Sequence, residues 1–443
     1  MKRRSKKSHA LGIIAAGASA VLALAGCSSA STASSTSTST SKAASPPAHV
    51  TISFWASAAG MTHLVNEFNK THPNITVQIG AVPSGQAKYE KIQSAVQAGT
   101  GPDLALVEYE EVPTLAIAGV LDNVTSQVAK YKSEFRPAAW QQASFLGQQY
   151  GLPHDIGPMV MYYNAALFKK AGIPVPQTWA QFASEAATLK QKTGAAMGSY
   201  LNYGLFIAGV CAQNGAHWFG ISHNSWQVAI NSSSCKKVLN YWTGLTTKGY
   251  AVFNNGFNEG YWGDLDAGKI ATYIVGAWGY RGLEGNLKLT AGDWRVAPVP
   301  QWNLAKPVNS NIGGSLIAVM KGAKHLQADL EFANWLTTNS TALALTYKYS
   351  GFYPAAVDGA NLSGYSTPDP FFGGQKVGSV YAQAASEVSN NWQWGPVMTT
   401  LNVNFQDELP GSITAGSANG MLNTIQGQTI SEMKTSGFSV SNG

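Results

Sequence analysis

From Val50 onward, apolar runs with a period of two alternate with stretches whose apolar residues recur every three to four positions. Val50, Ile52 and Phe54 alternate with Thr51 and Ser53, a strand ending at Trp55. Leu64, Val65 and Phe68 follow at helical spacing, and Ile75, Val77 and Ile79 alternate again. "KYEKIQSAVQAG" predicts a helix stopped by Gly99, "DLALVEY" a short strand, and "VPTLAIAGVL" another helix. This rhythm predicts an α/β chain built on a mostly parallel sheet. It resumes with the strand "MVMYYN". A Thr178-x-x-Gln181 capping box behind Pro176 then opens a helix running to about Lys190. "KIATYIV", "WRVAPVP" and "GSLIAVM" predict later strands, residues 326–338 an amphipathic helix, and Met421, Leu422, Ile425, Ile430 and Met433 a last helix. The body is long enough for two domains.

The residues before this body do not belong to a core. Lys2, Arg3, Arg4, Lys6 and Lys7 precede an apolar stretch over residues 11–25, the layout of an export signal. That stretch is short for a membrane span. Leu24-Ala25-Gly26-Cys27 resembles the lipobox of bacterial lipoproteins. The resemblance implies cleavage before Cys27 and a diacylglycerol on its thiol, so residues 1–26 are a signal peptide. Each buried methylene adds about 0.8 kcal/mol of membrane affinity, and two or more chains hold stably. Residues 27–48 are Ser/Thr/Ala-rich and end near Pro46-Pro47, a linker with too little apolar surface to fold.

Removing the signal changes the charge balance. The whole chain carries 29 Lys+Arg against 23 Asp+Glu, and five of the basic residues leave with residues 1–26. The nearly neutral remainder gives no basic stripe and no reason to expect a nucleic-acid partner. Charged residues make up 12% of the chain, against about 25% in ordinary domains, while it holds 13 Trp and 18 Tyr. So many rings beside so few ions fit a partner that stacks and hydrogen-bonds, as sugars do. Cys211 and Cys235 remain after Cys27. Outside the cell they are expected to pair, the alternative being two separate thiols. No spacing points to a metal or cofactor. "GDLDAGK" (263–269) has the opening of a calcium loop without its later acidic ligands, so a plain loop is expected there. No nucleophile elbow, zinc motif or P-loop occurs, and a non-enzyme is expected.

"AGTGPD", "YYN" followed by "LFKKAGI" and "PQTW", and the "GAW" after "KIATYIV" occur in this order. Together they resemble extracellular solute-binding proteins of family 1, the sugar-capturing lipoproteins of ABC importers, from about residue 50 to about 356. The resemblance implies a two-lobed, type II clamshell of the periplasmic-binding-protein kind, similar in build to maltose-binding protein. Its hinge crossovers would fall near residues 154–157, 311–314 and 349–354. One lobe would then comprise residues 49–154 and 313–350, the other 155–312 and 351–443. Gly313, Gly314 and Gly351 suit hinge rotation. Partners implied are a sugar, the permease subunits and the membrane through the lipid, with the chain acting as a monomer.

In such lobes ligands bind beyond the carboxyl ends of strands. That places Trp55 and Ser57 after the first strand, and Glu108 and Tyr109 after "DLALV", with Glu110 less favoured. Trp55 would stack on a sugar face, and Glu108 would accept sugar hydroxyls. Asp155 lies in the first crossover. The resemblance adds Asn202 and Tyr203, Trp278 as the foremost stacking ring, backbone amides at Gly313 and Gly314, and Trp392 or Trp394 near a helix start. Tyr280 and Trp302 rank below these. Without a basic candidate, a neutral solute is expected rather than an anion. Two other readings compete: a same-fold receptor for a non-sugar solute, and a surface-tethered carbohydrate-active enzyme. Mass spectrometry of the exported protein should find Cys27 as the N-terminus bearing a diacylglycerol; an unmodified thiol there contradicts the lipobox reading.

Overall fold

The computed structural model describes residues 49–441; the signal region, Cys27 and the whole linker lie outside them. In chain order the elements used below are β1 (Val50–Ala56), α1 (Met61–Thr71), β2 (Ile75–Ala81), α2 (Gln86–Gln97), β3 (Leu104–Glu108), α3 (Val112–Ile117) and β4 (Gly151–Asn164). There follow α4 (Trp179–Thr193), α5 (Gly204–Gln213), α6 (Ser233–Thr247), β5 (Thr272–Gly276), β6 (Trp294–Pro298) and β7 (Asn311–Val319). Last come α7 (Leu326–Thr338), α8 (Ser340–Ser350), β8 (Tyr353–Pro354), α9 (Met398–Thr414) and α10 (Asn419–Thr435). Among the described residues no helix is long and apolar enough to cross a membrane.

The alternation along β1 buries Ile52, Phe54 and Ala56 on one face. The apolar stripe of α1 (Met61, Leu64, Val65, Phe68) covers that face. Phe332 of α7 meets Phe54 and Phe68 edge-on, with centroids 5.4 and 5.0 Å away. β1 runs parallel to both β2 and β3, as the alternation predicts. The rest of the sheet corrects the expectation of a mostly parallel one. β7 lies antiparallel to β3 and β4, and β4 lies antiparallel to β5 and β6. These pairings arise because β4 and β7 run through the middle of the molecule rather than closing a strand–helix–strand unit.

β4 is 14 residues long, far beyond the predicted "MVMYYN". Its first half pairs with β7 and, through Asp155 and Ile156, with β8; its second half is flanked by β5 and β6. One strand therefore joins both lobes of a clamshell. At the join the register slips: β4 advances from Ile156 to Pro158 while β7 covers Gly314 back to Asn311, one residue more. This bulge needs Gly313 and Gly314, at φ 81° and 115°. Opposite it, a Cβ on Gly157 would lie 2.1 Å from the Ile312 carbonyl oxygen, so only glycine lets the strands approach. Pro158 sits at the break, where a missing N–H is tolerated.

In the second lobe, Thr178 and Gln181 form the predicted reciprocal cap on α4. Trp179 buries its ring against Trp242 of α6, and its indole N–H donates to Gln213 Oε1 at 2.9 Å. The "GDLDAGK" stretch is a helix end rather than a plain loop: Asp264 and Asp266 close helix Glu259–Asp266, and Asp266 accepts the backbone N–H groups of Leu289 and Thr290. α7 and α10 fall where the sequence spacing predicts them. Cys211 on α5 and Cys235 on α6 are joined by a disulfide, Cα to Cα 4.8 Å, across a separation of 24 residues. Reducing it should lower the unfolding free energy by about 3 kcal/mol on the chain-entropy estimate. Urea melts with and without reductant test this; coincident midpoints, or two free thiols in the unreduced unfolded protein, contradict it.

Candidate ligand cleft at the strand crossover

Two aromatic rings pack on the bulge between β4 and β7. Trp278 follows β5 in a tight turn, and its indole N–H donates to the Ile312 carbonyl at 2.6 Å. The ring rests on a bed of glycines: a Cβ on Gly157, Gly276 or Gly313 would come within 3.1, 2.5 or 3.2 Å of its Nε1. Phe257 stands perpendicular to it, centroids 5.9 Å apart. On the other side of the bulge the Tyr109 ring covers Gly314, where a Cβ would lie 2.8 Å from the ring. Two aromatic side chains thus flank the Gly313-Gly314 pair.

The turn after β3 separates two cavities. Tyr109 borders one of about 340 Å³, together with Gln142, Phe145, Leu146, Trp392 and Trp394. Glu108, Glu110 and Glu111 border the other, of about 280 Å³, which Tyr89, Tyr203, Asn402 and Gln406 close from the far sides. The first lies at the lower end of the range for ligand sites, which starts at about 300 Å³, and the second just below it. Hydrogen bonds bridge the cleft beside them. The Thr399 hydroxyl donates to Glu111 at 3.2 Å, the Thr114 hydroxyl to the Pro396 carbonyl at 3.3 Å, and the Trp394 indole to Gln142 Oε1 at 3.2 Å.

Tyr109, Glu108, Glu110, Tyr203, Trp392 and Trp394 therefore meet around one cleft. Trp392 and Trp394 lie in the irregular segment just before α9 begins at Met398, near a helix start as expected, with rings edge to face at 5.2 Å. Both are more than nine-tenths buried, so they offer edges to the cavity rather than open faces. Glu108 is not a free acceptor: Lys88 Nζ and the Tyr89 hydroxyl both donate to its Oε2. Trp55 does not present an open face either. It lies against Gly80 on β2, and Lys91 caps its ring at 4.9 Å. Ser57 is half-buried just past β1.

Asp155 is buried in the hinge, accepts the Ser315 hydroxyl, and so ties β4 to β7. The Asn202 amide is committed to Asn255 Oδ1 and the Gln406 carbonyl, at 3.1 and 3.0 Å. Tyr280 packs on Phe372, and Trp302 on Tyr241 with Lys237 over its face, so both are packing residues.

Sequence reasoning missed Lys88, Tyr89, Gln142, Thr399 and Asn402. Only Lys88 left a signal. It precedes the buried Ile92 by four residues on α2, so it shares the inward face and must meet a carboxylate.

Burial dominates the titration of the cleft. It raises the Glu111 carboxyl to about 7, against the Thr399 hydrogen bond, and the Asp155 carboxyl to about 7, against the Ser315 bonds. Glu110 is pushed well up by burial and then by the charges of Glu108 and Glu111. A group held protonated in the native state but ionised in the unfolded chain makes stability fall as pH rises between the two values. Glu111 therefore destabilises progressively from about pH 4.5 to about pH 7 and adds no further pH dependence above that. Glu111→Gln should flatten the stability–pH profile in this window; a profile parallel to the wild type contradicts the assignment.

Residues 55–342 match the family described as bacterial extracellular solute-binding protein. A lactose-binding protein of Rhizobium radiobacter is 26% identical over 411 residues, covering 87% of this chain and 93% of that one. An arabinooligosaccharide-binding protein of Bacillus subtilis is 23% identical over 353 residues, covering 76% of this chain and 78% of that one. Among solved structures, the galacto-N-biose-/lacto-N-biose I-binding protein of the ABC transporter from Bifidobacterium longum, in complex with lacto-N-biose, superposes with a TM-score of 0.78. It is 25% identical and covers 90% of this chain and all of its own. With the crossover strand, the glycine bulge and the aromatic-walled cleft, these likenesses establish that the chain belongs to the bacterial extracellular solute-binding proteins.

Proposed function

We propose that this chain is the lipid-anchored receptor of an ABC importer and captures a sugar or oligosaccharide by closing its two lobes. The observation that carries the reading is the pair of aromatic-edged cavities flanking a glycine hinge, with amides, hydroxyls and carboxylates facing in. Apolar ring faces meet the C–H side of a pyranose, and the polar groups fix its hydroxyls. The lobes would divide as residues 49–154 with 313–350, and 155–312 with 351–443. Ligand that touches both lobes only when they are closed draws the population toward the closed form, which the permease then reads.

Within that cleft Trp278 serves as the stacking platform and Tyr109, Tyr203, Trp392 and Trp394 as walls. Glu108, held by Lys88 and Tyr89, and Asp155, held by Ser315, would set the polar wall, Asn202 and the backbone at Gly314 would orient sugar hydroxyls, and Ser57 would contribute from the edge, while Trp55, covered by Lys91, would support that edge from behind. Lys88 is neutralised by Glu108, which disfavours an anionic solute. Relatives named as binding proteins favour capture without chemical change. Cys27 would hold the receptor at the outer face of the cell membrane, with residues 27–48 as the leash.

A thermal-shift screen of mono- and oligosaccharides should raise the melting temperature with at least one of them, in proportion to ligand excess over its dissociation constant. A flat response to the whole panel contradicts the carbohydrate reading. For the sugar so found, Trp278→Ala should weaken binding by about 1–3 kcal/mol in calorimetry. An unchanged dissociation constant removes Trp278 from the site.

A further inference from the structure

A strained leucine stands at the outer end of the larger cavity. Ser144–Phe145 and Gln148–Gln149 pair as a hairpin whose two-residue turn is Leu146-Gly147, at φ 50° and 77°. Such turns need positive φ at both positions and favour Asn-Gly or Asp-Gly. Glycine meets that demand at position 147, but a leucine at positive φ is a steric outlier. Burial does not hold it there, because Leu146 is 66% exposed. A second hairpin, Phe219–Ser222 with Ser225–Val228, gives the contrast. Its turn also has two positive φ values, and His223 and Asn224, of types that tolerate them, occupy it. Strain without a structural return is characteristic of positions kept for function.

Both hairpins border the same cavity. Phe145 stacks on Trp226 with centroids 6.1 Å apart and both rings more than nine-tenths buried, which fixes one hairpin against the other. Leu146 and Ile221, the latter 39% exposed, then line the cavity of about 340 Å³ that Tyr109, Gln142, Trp392 and Trp394 also line. One end of this cavity is buried and the other open. Tyr109 is fully buried and packs on Gly314 at the bulge, whereas Leu146 and Ile221 meet solvent. Among the described residues no Asp, Glu, Lys, Arg or His borders it, while Gln141, Ser144 and Gln393 add amides and a hydroxyl. Such a lining suits a neutral molecule that hydrogen-bonds along its length and meets alkyl groups at its outer end.

We propose that Leu146 and Ile221 form an outer subsite that takes the C–H face of a second sugar unit, so that saccharides of two or more units are selected over monosaccharides. The inference rests on the carbohydrate reading above and names the substrate class of the same cleft. A single unit held at the buried end leaves the leucine in water. A longer ligand covers it and removes its alkyl surface from solvent. Asparagine at position 146 relieves the strained turn and deletes the contact, so stability and affinity should move in opposite directions.

Calorimetric titration of the wild type, Leu146→Asn and Ile221→Thr tests this. The probes are glucose, galactose and arabinose beside lactose, maltose, galactobiose and arabinobiose, and each protein is also melted without ligand. At least one disaccharide should bind the wild type more tightly than its component sugars do. Each substitution should weaken that disaccharide about tenfold, the scale of leaving most of a leucine side chain in water. Any affinity for monosaccharides should stay unchanged, and Leu146→Asn should melt at or above the wild-type temperature. Disaccharide affinity unchanged in either variant overturns the subsite and leaves the carbohydrate reading intact. Equal losses for mono- and disaccharides, or binding of monosaccharides alone, overturn the selection for two units. A lower melting temperature for Leu146→Asn makes the leucine structural and also overturns the inference. Failure of every saccharide to bind overturns both readings.

Discussion

Everything else in this molecule depends on one strand crossing between lobes. A run of 14 residues extends about 46 Å, enough to belong to two sheets at once. Each half has its own neighbours: β7 and β8 on one side of the kink, β5 and β6 on the other. The crossover is stiff along its length and weak at one place, where the hydrogen-bond ladder with β7 breaks. Gly157 permits the close strand approach there, and Gly313 and Gly314 adopt the positive φ that the bulge requires. On the proposed function this bulge is the hinge, and Tyr109, which borders one of the cavities, packs directly on Gly314.

The polar groups of the cleft follow from that arrangement. β3 delivers Glu108 beside β7, and the turn after it sends Tyr109 toward one cavity and Glu110 and Glu111 toward the other. Lys88, buried on α2, makes Glu108 part of the wall rather than a free acceptor. Across the cleft, Thr399 and Trp394 reach Glu111 and Gln142. These bonds are individually modest, about 1 kcal/mol or somewhat more where a charge takes part. On the proposed function, closure rests on a small balance that a ligand bridging both lobes would tip.

Much of the fold was legible in the sequence because it is written in short-range patterns. Periodicity located β1, α2, α7 and α10, and the Thr178–Gln181 box located the start of α4. Strand direction was not legible. Whether β7 runs with or against β3 depends on long-range crossovers that no local pattern encodes. The same division holds in the cleft. Tyr109 follows from the rule that ligands meet strand ends and Tyr203 from the family resemblance, and both border a cavity. Trp55 obeys the same rule, yet Lys91 covers it, because α2 folds back over that face. Thr399, Asn402 and Gln142 have ordinary local sequences, and only the meeting of distant segments brings them to the cleft.

The central claim is that ligand closes two lobes about the β4–β7 bulge. Small-angle X-ray scattering on the free protein and on the protein saturated with a saccharide that raises its melting temperature tests this most directly. The account predicts a smaller radius of gyration with ligand, and a scattering curve for the bound state that matches the arrangement described above. An identical radius of gyration with the ligand demonstrably bound would contradict hinge closure.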